Sequence, residues 1–299
     1  MTIKIPVDIR SRYDGFLILI DAFFQAHRVT NSTIYIDFQD VNFFDANLCA
    51  LLGAYIEIFK KANNSVKIIN LKNSINIIFR KNEFMNEFNE KAIEDIHSTS
   101  IKYKKFQPLD ENEFKFYIKN ELLGKNDFPS HSIILGQKII ENIFELYENA
   151  RTHGRCEYIH TCGQYFPKHE SKPLRFTIVD RGKNIKENVN DYLADKGGLP
   201  LSGSDAIEWA VKKGNTTKSG TIPGGLGLDV IFQFIKLNKG KIQIISSDGY
   251  WEYKNDYIDR RKLSGTFDGT IANLEFNLND INHYSMSDEL ENDDFENLF

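Results

Sequence analysis

A carboxylate and an amide stand one helical turn apart in the stretch ELYENARTHG, which covers residues 145–154. Glu145 and Asn149 are four positions apart, so on a helix they project side by side. The apolar residues of the predicted helix fall on its opposite face. Two interpretations follow from this pattern. The pair belongs to an ordinary solvated polar face, or its two oxygen-bearing groups hold a ligand.

Three further polar or glycine-rich segments come later in the chain, each where a predicted strand ends or a predicted element begins. VDRGKN puts Asp180 at the carboxyl end of an apolar strand. PGGLGLDVI leads glycines directly into a helix, whose free N–H groups and dipole favour phosphate. DGTIANLEF opens a strand with Gly269 and Thr270. Each segment alone is a common turn or loop, whereas their order along the chain is specific.

In this order the four segments resemble those of the GHKL ATPase family. The family includes histidine kinases, anti-sigma-factor kinases, type II topoisomerases and mismatch-repair ATPases. The resemblance covers residues 130–280 and implies the Bergerat fold, a two-layer α/β sandwich of helices on a mixed sheet. ENARTHG is most similar to the corresponding stretch of anti-sigma-factor kinases and related bacterial ATP-binding proteins.

The resemblance implies a role in binding ATP and Mg²⁺ for each matching residue. The amide oxygen of Asn149 would coordinate Mg²⁺, which prefers oxygen ligands. Glu145 would be the general base that activates the attacking nucleophile. Asp180 would accept a hydrogen bond from the adenine amino group, supported by Thr270 through a water. The other expected nucleotide contacts are Gly182, Asn184, Lys218, Gly224, Gly225, Leu226, Gly227 and Leu228.

Within that set, the resemblance assigns distinct tasks. Gly182 would let the base approach the backbone, and the glycines at 224–227 would cradle the phosphates with the N–H groups of Leu226 and Leu228. Lys218 would contact the γ-phosphate from a mobile lid at 212–223. Asn184 stands where the family has the second glycine of Asp-x-Gly-x-Gly. Because asparagine tolerates positive φ, we expect that turn to survive. These features imply nucleotide binding and leave the rate of hydrolysis open.

The first 92 residues alternate strand, helix, strand and helix, which predicts a small α/β unit. The stretch around Asp45 resembles the STAS domain of anti-sigma-factor antagonists, whose hallmark is Asp-Ser-Ser-Gly-Leu before a helix. Asp45, a predicted helix N-cap, aligns with the motif aspartate, and Ala46 and Asn47 stand where the two serines do. Self-phosphorylation there is therefore not expected. The alternative is a generic α/β docking module.

Four segments follow from this pattern: a STAS-like interaction domain (1–92), a linker with one amphipathic helix (93–129), the GHKL domain (130–280) and an acidic tail (281–299). The long helix of the GHKL domain is expected to begin at Ser130 or Ser132. The composition of the tail predicts disorder, and its alternation of acids with leucine and phenylalanine allows a docking peptide as the alternative.

Composition narrows the class of protein. The chain has 299 residues, 41% of them apolar, and a net charge of −5. Six acids lie in residues 288–296, so the rest of the chain holds 37 basic and 36 acidic residues and offers no basic face for nucleic acid by composition. Three cysteines make no disulfide framework. With no signal-peptide pattern and no apolar stretch long enough for a bilayer, we expect a soluble cytoplasmic protein.

HGRCEYIHTCG contains four residues of types that bind zinc: His153, Cys156, His160 and Cys162. Their spacing fits no common zinc finger. On a strand, the residues at 156, 158, 160 and 162 share one face, which is the alternative to a metal site.

The sequence thus predicts a protein that binds ATP and Mg²⁺ and acts as a nucleotide-dependent regulatory switch through its STAS-like module. ATP and ADP, a protein partner and a second copy of the chain are the expected partners, whereas a membrane and nucleic acid are not. One alternative is a serine protein kinase that phosphorylates a separate STAS partner. Another is a scaffold that binds ATP without hydrolysing it, against which the carboxylate of Glu145 argues.

Overall fold

The N-terminal half contains a parallel three-stranded sheet with the order β1-β2-β3. The computed structural model describes residues 1–212, 214–215 and 228–289. The elements of this half are β1 (Thr2–Lys4), α1 (Tyr13–Phe24), β2 (Thr33–Asp37), α2 (Cys49–Lys61), β3 (Ser65–Ile69) and α3 (Asn73–Lys81). Short 3-10 turns lie at Ala46–Leu48 and Phe84–Phe88.

The C-terminal half is a five-stranded sheet with helices on one face. Its strands have the order β4-β5-β6-β8-β7, and every neighbouring pair is antiparallel, where the resemblance implied a mixed sheet. The elements are β4 (Ser100–Phe106), α4 (Glu111–Tyr117), α5 (Ile133–Asn149), β5 (Ile159–Tyr165), β6 (Pro173–Asp180), α6 (Ile185–Asp195), α7 (Gly203–Val211), α8 (Asp229–Leu237), β7 (Lys241–Lys254) and β8 (Tyr257–Asn277). Single π-helical turns extend α4 over Ile118–Leu123 and α5 over Ala150–Gly154.

The segment 93–129, predicted as a linker with one helix, also supplies an edge strand. Residues 100–106 form β4 and pair with β5, from Ser100 opposite Gln164 to Phe106 opposite Ile159. Lysines at alternate and adjacent positions of IKYKKF concealed the strand pattern, because an edge strand keeps much of one face in solvent. The predicted amphipathic helix corresponds to α4 and its π-helical turn, which ends before Gly124.

The N-terminal half covers the second face of the five-stranded sheet. Along β6 the side chains alternate, so that Ile178 packs under the helices of the C-terminal half and Val179 packs against the N-terminal half. Phe23 of α1 and Tyr55 of α2 belong to the same buried cluster as Val179. The two halves therefore share a hydrophobic core, and do not meet only through a linker.

The turn that resembles the STAS motif is buried in this interface. The Asp45 carboxylate accepts hydrogen bonds from the Ser11 backbone N–H (2.6 Å) and from Arg175 Nη1 (2.8 Å). Asn47 Nδ2 donates to Thr177 Oγ1 at 2.8 Å and to Asn273 Oδ1 at 3.1 Å. Asp45 occupies the N-cap position of the turn Ala46–Leu48, as predicted, but its side chain makes no capping hydrogen bond, because its Oδ2 is held by Ser11 and Arg175.

Among the described residues, no helix is both long enough and apolar enough to cross a membrane.

Candidate functional site

Helix α5 carries the carboxylate–amide pair along the helical face of the sheet. Its N-cap is Ser132, one of the two predicted starts, whose Oγ accepts from the Leu135 backbone N–H at 3.0 Å. The apolar face of α5 is buried over Leu135, Gly136, Ile139, Ile143, Leu146 and Tyr147. Glu145 and Asn149 are half-buried, at the edge of this face. At its end the helix widens into the π-helical turn, a form often found at functional sites.

A cavity opens where this turn meets the carboxyl end of β6. It contains about 740 Å³ of space, its open mouth included. Its polar lining residues are Asn149, His153, Asp180, Lys183, Asn188, Asn215 and Thr270. Its apolar lining residues are Leu146, Ala150, Ile178, Ile185, Val189, Trp209, Ala210 and Ala272. The fold thus brings together Asn149, Asp180 and Thr270, which are far apart in the sequence.

Asp180 lines this cavity and has an unsatisfied carboxylate oxygen. The residue is 6% exposed, and its Oδ1 is buried without a hydrogen-bond partner among the residues that the structure describes. Burial raises the pKa of Asp180 to about 7, although Arg181 and the backbone N–H of Thr270 favour the charged form. An unpaired buried acceptor is costly, so a ligand that donates a hydrogen bond to it would be stabilised.

Gly182 has a different task from the predicted one. A Cβ at this position would lie 2.0 Å from the carbonyl oxygen of Gly154, so Gly182 permits a close approach of two backbone segments. The neighbouring Lys183 N–H donates to the same carbonyl oxygen at 2.7 Å. Gly182 is not among the residues that line the cavity. Its small size therefore serves the junction between the π-helical turn and the end of β6.

Asn184 also differs from the prediction. It has φ −77° and ψ 166°, so the turn does not use positive φ there. Its Oδ1 accepts from the Glu187 backbone N–H at 2.9 Å and caps α6. Asn184 lies outside the cavity lining, while Asn188, one turn later, lies within it. Asn184 therefore begins a helix, a role that the N-cap preference of asparagine explains from sequence alone.

The two acids of α5 have different surroundings. Glu148 forms a two-point ion pair with Arg151, through Nε at 3.1 Å and Nη2 at 2.6 Å. Glu145 does not line the cavity, but it lies one turn before Asn149, which does. Glu148 is therefore engaged in holding the π-helical turn, and Glu145 is the acid adjacent to the amide that faces the cavity.

Asn142 is a residue of this site that sequence reasoning missed. Its Oδ1 accepts from the backbone N–H groups of Val230 (2.8 Å) and Ile231 (3.0 Å) in the first turn of α8. The side chain therefore ties the start of α8 to α5, one turn before Glu145. These two N–H groups are occupied, so a phosphate at this helix end would use N–H groups that precede Val230. A polar residue three positions before Glu145 was the available signal.

The glycine segment itself can be described only at its end. Leu228 is buried at the N-cap position of α8. Lys218, Gly224, Gly225, Leu226 and Gly227 lie outside the described residues, as do most of the predicted lid and the last ten residues of the predicted tail.

Three of the four candidate zinc ligands, Cys156, His160 and Cys162, are buried, and His153 lines the cavity. The Nδ1 atom of His160 lies 3.0 Å from the Tyr103 hydroxyl oxygen. Burial lowers the pKa of His160 to about 3. Cys162 contacts the carbonyl oxygen of Ala46 at 3.2 Å. Within the described ranges, no group of three or more His, Cys, Asp and Glu side chains is arranged to hold a metal ion.

No protein-family model matches the chain, and no curated protein matches it at a significant level. The function is therefore argued from the geometry of the site.

Proposed function

We propose that the cavity binds an adenine nucleotide with Mg²⁺, and that the chain is a nucleotide-dependent regulatory ATPase of the GHKL type. The observation that carries this proposal is the buried, unpaired Oδ1 of Asp180 in a largely apolar cavity. An exocyclic amino group is a donor that suits this oxygen, and the apolar walls suit a planar base. Guanine presents a carbonyl oxygen at the equivalent position, which would face the carboxylate unfavourably.

Asn149 supports the phosphate end of the proposal. Its amide lines the same cavity as Asp180. Mg²⁺ commonly takes one or two protein oxygens and completes its shell with phosphates and water, so a single amide is a sufficient protein ligand. When bound, the ion would neutralise charge on the phosphates.

Glu145 is proposed to orient and deprotonate the attacking nucleophile. Its position one turn before Asn149 puts a carboxylate beside the proposed phosphate site, and Glu148 is committed to Arg151. A positioned general base of this kind contributes on the order of 10²- to 10⁴-fold in rate. If a protein serine replaced water as nucleophile, the same residues would support the alternative, a protein kinase.

The N-terminal half contains the turn that would be the phosphoacceptor site if a protein kinase acted on its own chain. Its turn at Asp45, Ala46 and Asn47 offers no hydroxyl and is buried against the sheet. This turn therefore supplies no phosphoacceptor, and contacts with a partner would use another surface of this half.

The deciding experiment is calorimetric titration with ATP, ADP and GTP in Mg²⁺, with phosphate release followed in parallel. Binding of ATP and ADP but not GTP, with release of phosphate, supports the ATPase. Binding without release favours a kinase that lacks its substrate, or a scaffold, and transfer of labelled phosphate to another protein distinguishes these two. An absence of nucleotide binding would refute the proposal.

A further inference from the structure

A basic cleft lies on the other side of the molecule, between the two halves. We use this name for the cavity lined by Arg10, Arg12, Phe43, Phe166, Lys168 and Arg175. It contains about 1100 Å³ of space, its open mouth included, and none of the described residues that line it is an aspartate or glutamate. It shares no lining residue with the proposed nucleotide cavity.

Aromatic rings hold two of its cations in place. The Arg10 guanidinium lies 4.2 Å from the ring centroid of Phe43, and that of Arg175 lies 4.7 Å from Phe166. The two ring centroids are 6.5 Å apart. Stacking of this kind fixes a guanidinium and leaves its in-plane N–H groups directed outward. The cleft therefore combines ordered cations with apolar surface.

The carboxylates around the cleft are engaged by other groups of the protein, each through at least one oxygen, while Asp45 Oδ1 has no partner among the described residues. Asp8 accepts from the backbone N–H groups of Asn42 and Phe43, and Asp45 and Glu275 hold Arg175. In the described part of the chain, Arg10, Arg12 and Lys168 form no ion pair. Three exposed cations therefore face a cavity without an internal counter-charge.

The C-terminal segment of this chain, residues 290–299, has the complementary composition. Its sequence LENDDFENLF contains four acids, two phenylalanines, two leucines and no base. The chain passes the loop that forms one cleft wall before it reaches this segment: the Leu278 N–H donates to the carbonyl oxygen of Lys172, three residues after the cleft residue His169. The last described residue, Glu289, accepts from Ser132 Oγ at the start of α5. Ten extended residues span up to about 33 Å, which is enough to cross the edge of a sheet.

We propose that residues 290–299 dock in the basic cleft of their own chain. The carboxylates of the segment pair with Arg10, Arg12 and Lys168, and its aromatic rings lie against the apolar wall of the cleft. Docking within one chain benefits from an effective concentration on the order of millimolar, so a weak contact suffices to fill the cleft. The inference is independent of nucleotide binding.

The test uses the full-length chain and a fluorescein-labelled peptide of residues 288–299, with binding followed by fluorescence anisotropy. One variant carries amides in place of the four acids (E291Q, D293N, D294N and E296Q), which releases the cleft while keeping the chain length. We expect this variant to bind the peptide about tenfold or more tightly than the unmodified chain. In that background Arg10→Ala and Lys168→Ala each weaken binding, whereas Lys196→Ala, an exposed lysine outside the cleft, does not.

Two results would overturn the proposal. If the amide variant does not bind the peptide, the cleft does not recognise this segment. If the unmodified chain binds the peptide as tightly as the amide variant, its own segment does not occupy the cleft. Since docking is within one chain, the expected difference in peptide affinity between the unmodified chain and the amide variant is the same at every protein concentration tested.

Discussion

Gly182 and Gly154 approach so closely that a Cβ on Gly182 would lie 2.0 Å from the Gly154 carbonyl oxygen. A Cβ on Gly154 would in turn lie 3.0 Å from Asp180 Oδ1. The end of β6 and the π-helical turn of α5 are thus joined through two residues without side chains. This junction sets the distance between Asp180 and Asn149 across the cavity.

Gly182→Ala should force the junction apart, because the obstructing atom belongs to the backbone. Overpacking of this kind costs about 1–3 kcal/mol, and we expect a lower Tm together with loss of nucleotide binding. Differential scanning fluorimetry and calorimetric titration measure the two effects. Gly198→Ala is the control, since its Cβ would meet the nearest atom at 3.3 Å. Unchanged Tm and binding in Gly182→Ala would contradict the role assigned to the junction.

The raised pKa of Asp180 should make the stability of the protein depend on pH. Its folded-state pKa is about 7 against an ordinary value of 3.8, so the contribution of Asp180 is complete below about pH 4 and is lost as the pH rises towards 7. The full loss is on the order of 4 kcal/mol. Urea unfolding of the wild type and Asp180→Asn at pH values on both sides of this window measures it. We expect the free energy of unfolding of Asp180→Asn not to fall over this pH range. If it falls as much as that of the wild type, Asp180 is not the cause of the pH dependence.

Glu145→Ala should retain nucleotide affinity and lose turnover by about 10²-fold or more, because a general base acts on the transition state. Asp180→Ala should instead lose binding, and Asn149→Ala should weaken binding in the presence of Mg²⁺. Steady-state phosphate release and calorimetry separate the two classes. Glu141→Ala, an exposed acid one turn earlier on the same helix, is the matched control. Normal turnover in Glu145→Ala would show that the general base is a different group.

Asn142→Ala should loosen the start of α8, because the Val230 and Ile231 N–H groups lose their shared acceptor. Loss of a helix cap costs about 1–2 kcal/mol. Urea denaturation followed by circular dichroism measures this change. Asn120→Ala provides the comparison, since its side chain is exposed and bonds only to the preceding turn of its own segment. An equal effect of both substitutions would argue against the capping role.

Asn47→Ala should destabilise both halves together. It removes the donor to Thr177 Oγ1 and Asn273 Oδ1 in the buried interface, which remain bonded to each other, and each hydrogen bond lost costs about 0.5–1.5 kcal/mol. Tryptophan fluorescence follows the C-terminal half, which contains Trp209 and Trp251, and circular dichroism follows the whole chain. We expect one lowered transition by both probes, and little change for Asn86→Ala at an exposed position. Separate transitions would mean that the halves unfold independently.

Helices and strands of the chain could be predicted from sequence where a clear hydrophobic period or a capping residue was present. Helix α5, the strand before Asp180 and the alternation of the first half are examples, since hydrophobic period and N-cap residues are local signals. β4 was missed because its lysines obscured the period of an edge strand. The sheet register, the antiparallel pairing throughout the second half and the sharing of one core by both halves depend on contacts between distant residues.

The sequence by itself determined the mixed α/β class and identified Asn149, Asp180 and Thr270, which lie together in one cavity. The tertiary structure alone decided that Gly182 serves a backbone junction, that Asn142 holds α8, and that the turn at Asp45 is buried in the interface between the halves. The physical reason is that residue type limits what a side chain is able to donate, accept or bury. Which partner it meets depends on how the chain brings remote segments within van der Waals or hydrogen-bond distance.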